Sequence, residues 1–284
     1  MEDQAARLRE KARERRKASA ARVITVTGGK GGVGKTNFTT NLGVCLAGMG
    51  KRVILLDADL GMANIDVLMG LTSMYSLYDV LEGDKDLSEI IVTCPNGVKL
   101  IPGGSGFNQL AYMNQLEKKK IEESLSQVTA QHDFVLIDTA AGLSRDVLAF
   151  IAASNEVIVV ITPEPTSITD AYGMIKAVSR FRLNHNIHIL INMAVSSSEA
   201  GETADKITNV ARAFLETEVN LLGYIQRDDS VVKAVKRQTP FLLLYPNSRA
   251  SRQLTKAADN LVKGKGLREI PKSGFVSRIM RYFA

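Results

Sequence analysis

The sequence predicts an α/β fold: a doubly wound, mainly parallel sheet of the P-loop type, a single domain with helical extensions at both ends. Three observations predict it. Short Val/Ile/Leu-rich runs recur at 23–27, 53–56, 98–101, 134–137, 157–161, 187–191 and 221–225, as expected of strands buried on both faces. Helical patterns separate them, for example at 36–49, 114–128, 166–182, 202–217 and 248–263. Such alternation implies right-handed crossovers between parallel strands. Finally, Gly29 to Thr36 reads G-x-x-x-x-G-K-T directly after the first run, VITVT, which is the strand-to-helix setting of a phosphate-binding loop. No internal repeat or low-complexity linker interrupts the pattern.

Composition bounds the alternatives. With 284 residues, 45% hydrophobic and 23% charged, the chain can bury a sizeable core. Its net charge of +6 is unevenly placed: residues 1–22 carry eight Lys/Arg against four Asp/Glu, residues 261–284 six against one, and 23–260 has 22 basic against 25 acidic. The basic character belongs to the tails, which points to tails that meet something anionic and disfavours a DNA-binding core. The two cysteines, Cys45 and Cys94, are too few and too separate for a disulfide framework, a Cys-x-x-Cys metal site or a redox cluster. No uninterrupted apolar run reaches the roughly 18 residues a spanning helix needs. A cytoplasmic protein is expected.

In a parallel sheet of this kind ligands bind at the carboxyl ends of the strands, so the loops there carry the chemistry. The N–H groups of Gly29, Gly31, Gly32, Val33 and Gly34 form an anion cradle. Lys35 reaches the β and γ phosphates, and the Thr36 hydroxyl is suited to Mg²⁺. The second loop follows VILLDADLG: Asp57 and Asp59 lie two residues apart, so both carboxylates face one way if strand geometry persists. One can hold Mg²⁺ through water while the other orients the attacking water; alternatively Asp57 ends the strand and Asp59 is solvated. Asp138 in FVLIDTAAG ends a third apolar run, bringing three carboxylates to one phosphate mouth. Lys30 looks redundant beside Lys35.

The segments KGGVGKT, DADLGMANIDVLMG, DTAAG, LINM and PEPTSITDAY together resemble the MinD/ParA class of deviant Walker A ATPases over roughly residues 22–262. That resemblance gives Lys30 a purpose. In this class the signature lysine crosses a dimer interface to the phosphates of the partner's ATP. It further implies that Asp59 positions the hydrolytic water, that Asp57 and Asp138 contact Mg²⁺ through water, and that Asn192 binds the adenine edge. The nucleotide site would also include Asn37 and Asp228. Departures from the pattern are Asn37 after Thr36, Ala140 where Pro is frequent, and Gln226 and Arg227 where Pro-Glu is typical.

The tails narrow the expectation. Ala5, Leu8 and Ala12 make only a thin apolar stripe, consistent with a solvated helix. Yet Asp3, Gln4, Ala5, Leu8 and Arg9 are similar to the DQAxxLR pattern of the FlhG (FleN) flagellar-number ATPases, where this segment docks on FlhF, a GTPase of the signal-recognition-particle type, and stimulates it. At the other end SGFVSRIMRYFA forms an amphipathic pattern, with Phe275, Ile279 and Tyr282 beside Val276, Met280 and Phe283, flanked by Lys272, Arg278 and Arg281. Such a helix either lies on an anionic membrane or packs on the domain, and the two can be alternate states.

The expectation is a partner-activating arm at 1–21, an ATPase domain at 22–264 and a membrane-targeting segment at 265–284. The chain is expected to bind ATP and Mg²⁺, to form an ATP-dependent homodimer and to attach reversibly to the inner face of the cell membrane. It would regulate flagella through FlhF, with a division-site regulator like MinD or a DNA-partitioning ATPase like ParA as alternatives.

Overall fold

In the computed structural model of the chain, which describes residues 21–59, 64–103, 114–184, 186–264 and 275–283, eight strands make one sheet. They are β1 (Arg22–Thr27), β2 (Val53–Ala58), β3 (Val92–Thr93), β4 (Lys99–Ile101), β5 (Phe134–Thr139), β6 (Glu156–Ile161), β7 (Ile187–Ala194) and β8 (Val219–Gln226). Their spatial order is β3-β4-β2-β5-β1-β6-β7-β8. All pairs are parallel except β3 with β4. The chain winds outward from β1 in one direction to β2 and β4, returns to insert β5, and then winds the other way through β6, β7 and β8. The reversal lies beside β1, so the crevice at its carboxyl end is where such a sheet binds ligands.

Twelve α-helices among the described residues cover the two faces: α1 (Lys35–Gly48), α2 (Ile65–Leu68), α3 (Leu77–Leu81), α4 (Leu87–Ile90), α5 (Gln115–Ala130), α6 (Arg145–Ala153), α7 (Pro165–Arg180), α8 (Ser197–Leu215), α9 (Asp229–Lys236), α10 (Phe241–Leu244), α11 (Arg249–Lys263) and α12 (Phe275–Phe283). Alternation along the strands decides which face each side chain joins. Ile24, Val26, Val53 and Leu55 meet Phe38 and Leu42 of α1 and Leu254 and Leu261 of α11. The opposite face places Val23, Ile54 and Leu56 against Ile121 and Leu125 of α5 and Phe150 of α6, and Val157, Val159 and Ile189 against α7 and α8. Hydroxyl or amide side chains start several helices. Asn114 accepts from the N–H groups of Leu116 and Glu117 while Glu117 accepts from that of Asn114, a reciprocal cap; Ser144, Ser196 and Ser248 cap α6, α8 and α11.

The five helices expected from the pattern correspond to α1, α5, α7, α8 and α11. Helix α6 was outside that set, because nine residues between two buried strands are too few to separate helical from strand periodicity. Of the two arrangements expected for the C-terminal helix, the structure shows the one packed on the domain. Phe275, Val276, Ile279 and Met280 are buried in the core under β2 and β5. Arg278, expected to flank the apolar face, is itself buried and donates from Nε and Nη2 to the carbonyl of Ala153 at the end of α6. Tyr282 is 41% exposed, and its carbonyl accepts from Arg145 Nη2 at 3.2 Å. Docking wins in an isolated chain because the apolar face is removed from water at about 25 cal/mol per Å² and the last carbonyl of α6 gains a charged donor. None of the described helices is long and apolar enough to cross a membrane. The stretch holding Asp3, Gln4, Ala5, Leu8 and Arg9 lies outside the described residues, as do Lys272 and the side chain of Phe283.

At the amino ends of the central strands Glu156, only 3% exposed, accepts from Arg22 through both guanidinium arms at 2.8 Å and lies 3.3 Å from His188 Nε2. Arg22 also donates to the carbonyl of Leu261 and stacks on Phe134, tying the start of β1 to the end of α11. Burial opposes ionisation of Glu156, but hydrogen bonds from His188 and Arg22 outweigh it and hold the carboxyl below its ordinary value. Because the folded value is the lower one, this contribution is complete above the unfolded value near 4.3 and disappears as pH falls through the folded value. Glu156→Gln, which leaves Arg22 partly buried without its counter-charge, is expected to cost about 3 kcal/mol. Urea unfolding at neutral pH measures this, and the gap between variant and wild type should close in acid.

Candidate nucleotide site

The site begins with a helix that lacks a side-chain cap. Gly34, at φ 91°, precedes α1, and neither a side-chain hydrogen bond nor an acidic residue satisfies its first turn. Bare N–H groups and the positive helix end are thus left for an anion. Two glycines in the loop are required by packing. A Cβ on Gly29 would lie 2.5 Å from the backbone of Asp170 in α7, and one on Gly34 would lie 2.4 Å from Asn192 Nδ2. Gly31 has open space around its Cβ position, as does Gly32 at φ 79°, and both are exposed, so this rim is accessible.

Lys35 and Lys30 diverge. Lys35 is buried within the mouth; burial lowers its pKa while the charges of Asp138 and Asp59 raise it. Lys30 turns outward, its Nζ 2.8 Å from Glu164 Oε2 and 3.2 Å from Thr166 Oγ1 at the start of α7.

The three carboxylates converge, yet differ in what they already hold. Register pairs Asp57 with Asp138 across β2 and β5. Asp57 is spent on backbone: Oδ1 accepts from the N–H of Asp59 at 3.2 Å, and Oδ2 from those of Asn64 and Ile65 at 2.9 and 3.2 Å. It shapes the loop that carries Asp59. Burial raises its pKa, which those three bonds offset in part. Gly103 closes against the same strand end, where a Cβ would fall 1.6 Å from the Asp57 carbonyl oxygen. Asp138 is wholly buried and pushed up to about 7, foremost by burial, against hydrogen bonding from Thr36 and Thr39. Its Oδ1 lies 3.0 Å from the Thr39 hydroxyl, and its Oδ2 has no hydrogen-bond partner. An orphaned buried carboxylate oxygen beside the Thr36 hydroxyl suits a hard cation with oxygen ligands. The residues present therefore fit Mg²⁺.

Beside the loop opens a pocket of about 550 Å³, lined by Gly34, Asn37, Asn192, Met193, Arg227 and Val231 among others. Asn192 points its amide Nδ2 to the carbonyl of Val33 at 2.8 Å, leaving Oδ1 as the acceptor available to a base. Asp228 also lines the pocket, but its carboxylate is engaged: Oδ1 accepts from the N–H of Ser230 at 2.9 Å and Oδ2 from that of Ala250 at 3.1 Å. It joins α9 to α11 instead of facing the pocket as a free acceptor. Gln226, at a position where Pro is typical, uses the N–H that Pro lacks to donate to Gln253 Oε1 at 2.8 Å, and its Oε1 accepts from Gln253 Nε2. Two features escaped the sequence pattern. Met193, at the pocket wall, has φ 60°, an uncommon conformation for a long side chain. Glu164, the partner of Lys30, gave no spacing signal because the contact spans 134 residues.

A family model described as an AAA domain matches residues 21–191. The antiactivator FleN of Pseudomonas aeruginosa is 42% identical over 229 residues, 81% of this chain and 82% of that protein. The flagellum site-determining protein YlxH of Helicobacter pylori is 34% identical over 265 residues, 91% of this chain and 90% of that one. Among solved structures, the septum site-determining protein MinD of Pyrococcus horikoshii, complexed with Mg-ADP, aligns with a TM-score of 0.70 at 27% identity, covering 88% of this chain and 100% of its own. With an uncapped phosphate loop at the centre of a parallel sheet and relatives of this similarity, the chain belongs to the MinD/ParA family of P-loop ATPases, in the group of flagellar regulators that includes FleN and YlxH.

Proposed function

We propose that this ATPase is a switch controlling flagellum number or placement: ATP closes a homodimer, hydrolysis opens it, and partners respond to the difference. The observation that carries this reading is the divergence of the two loop lysines. Lys35 sits within its own phosphate mouth, whereas Lys30 leaves it for Glu164 and Thr166. A second cation turned away from its own phosphates is suited to a partner's. The tether to Glu164 is no obstacle, since an exposed ion pair is worth about 1 kcal/mol or less, while a cation supplied in trans to a transferring phosphoryl group is worth about 10³ to 10⁵ in rate.

Within one mouth the roles divide by where each group sits. The loop N–H groups and Lys35 hold the β and γ phosphates. Thr36 and Asp138, with Asp57 behind them, would hold Mg²⁺, which when bound neutralises charge on the phosphate oxygens. Asp59, placed by the Asp57 carboxylate through the Asp59 N–H, orients the hydrolytic water. Asn192 Oδ1 accepts from the exocyclic amine of adenine, and Asn37 lines the same pocket.

The tails read the switch. Residues 1–21 form the arm that docks on FlhF and stimulates its GTPase. Residues 265–284 attach the protein to an anionic membrane once α12 leaves its bed, so that two helices presented by one dimer gain avidity. This keeps the protein cytoplasmic and reversibly peripheral on the inner face of the cell membrane. Flagellar relatives and the DQAxxLR segment favour this reading over a MinD-like division-site role. Basic residues concentrated in the tails weigh against a ParA-like role on DNA.

Lys35→Ala should abolish nucleotide binding. Lys30→Ala should still bind ATP while losing the ATP-dependent dimer and about 10³-fold in hydrolysis; sedimentation with ATP and phosphate release measure both, and wild-type turnover by Lys30→Ala would sink the trans mechanism. Asp59→Ala should accumulate as an ATP-bound dimer, and unimpaired hydrolysis in that variant would move water orientation to another group. Removing residues 1–20 should abolish stimulation of FlhF in a GTPase assay; full stimulation by the shortened chain would remove the arm from the mechanism.

A further inference from the structure

Docked as it is, α12 cannot offer a bilayer the side chains best suited to lipid, because Phe275, Val276, Ile279 and Met280 are buried. What the docked form offers instead lies between α12 and α5. A groove of about 570 Å³ runs there, lined by Leu116, Lys118, Lys119, Glu122, Met280 and Arg281 among others. Positions 115, 118, 119 and 122 share one face of α5 by helical spacing. Three cations against one carboxylate give this groove an excess of positive charge, although residues 23–260 are acidic overall. Glu117, on the same turn, already caps α5 through Asn114. Among the described residues, Lys118, Lys119 and Arg281 take part in no salt bridge. Large apolar side chains accompany them: Leu116 is 74% exposed, and Tyr282 also reaches solvent.

We infer that this groove is the surface by which the docked protein first meets an anionic bilayer, before α12 releases its buried face. Lipid phosphates lie against Lys118, Lys119 and Arg281, while Leu116 and Tyr282 enter the headgroup layer. Exposed cations interleaved with exposed apolar side chains on adjacent helices are the combination that binds the membrane interface. A free anion would use the cations alone. The inference rests on the membrane attachment proposed above and adds to it a contact that precedes undocking, on a helix far from the C-terminus in sequence.

The test uses the full chain, with ADP and with ATP, and vesicles of phosphatidylglycerol mixed with phosphatidylcholine. Wild type should sediment with these and not with pure phosphatidylcholine. Lys118→Gln with Lys119→Gln should weaken binding about 25-fold, at about 5-fold for each cation near a charged surface, in both nucleotide states. Leu116→Ala should weaken it further, with the thermal midpoint and vesicle-free ATP hydrolysis unchanged for every variant. Soluble glycerol phosphate should not displace the protein. If wild type binds and the double Gln variant binds equally, the cations serve some other partner, such as an acidic protein, and the groove assignment falls while membrane attachment stands. Displacement by glycerol phosphate would also overturn it, in favour of a free-phosphate site. If wild type itself never binds anionic vesicles, the attachment reading and this inference fall together.

Discussion

A helix that begins without a cap is tolerable only where something else will satisfy its first N–H groups, and α1 begins so at the carboxyl end of β1, near the middle of the sheet. Most of what surrounds the site follows from keeping that end bare. Gly34 takes a left-handed conformation to turn the strand into the helix. Gly29 allows the loop to rest on α7, and Asn192 braces Val33 from the end of β7. Helices α5, α6 and α8 are by contrast closed by Asn or Ser in the ordinary way, and α7 begins with Pro165, which has no N–H to satisfy.

The same crowding separates carboxylates that look alike in the chain. Register sets Asp57 beside Asp138, Asp59 follows just past the end of β2, and the surroundings of the three then differ. Asp57 has given both oxygens to the backbone, and Asp138 keeps one oxygen orphaned in a dry environment. Only Asp59 remains partly exposed at the mouth. The bonds in place thus distinguish a carboxylate that organises the loop from one buried with an unpartnered oxygen, which is why they are proposed for different tasks. Asp228 shows the converse: a residue at the right position in the pocket whose carboxylate is occupied by two helix starts.

Helix α12 joins the two ends of the molecule's behaviour. It packs on α6, which follows the loop after Asp138, and Arg145 and Arg278 both bond carbonyls across that junction. The end of β5 is therefore separated by a single helix from the segment proposed to reach the membrane. The connection is short and built from packed side chains and two hydrogen bonds.

By itself the sequence determined the strand and helix alternation, the parallel sheet, the phosphate loop and the family, because these depend on local periodicity, on glycine placement and on residues close together in the chain. It also brought Asp57, Asp59 and Asp138 to one crevice, since strand ends in a doubly wound sheet share an edge. Only the tertiary structure decided that Lys30 bonds Glu164, that both carboxylate oxygens of Asp57 and of Asp228 accept backbone N–H groups, and that the apolar face of α12 is covered by α5 and α6. Each depends on contacts between residues far apart in the chain, and the same carboxylate or amphipathic stripe is compatible with several partners until packing brings one within reach.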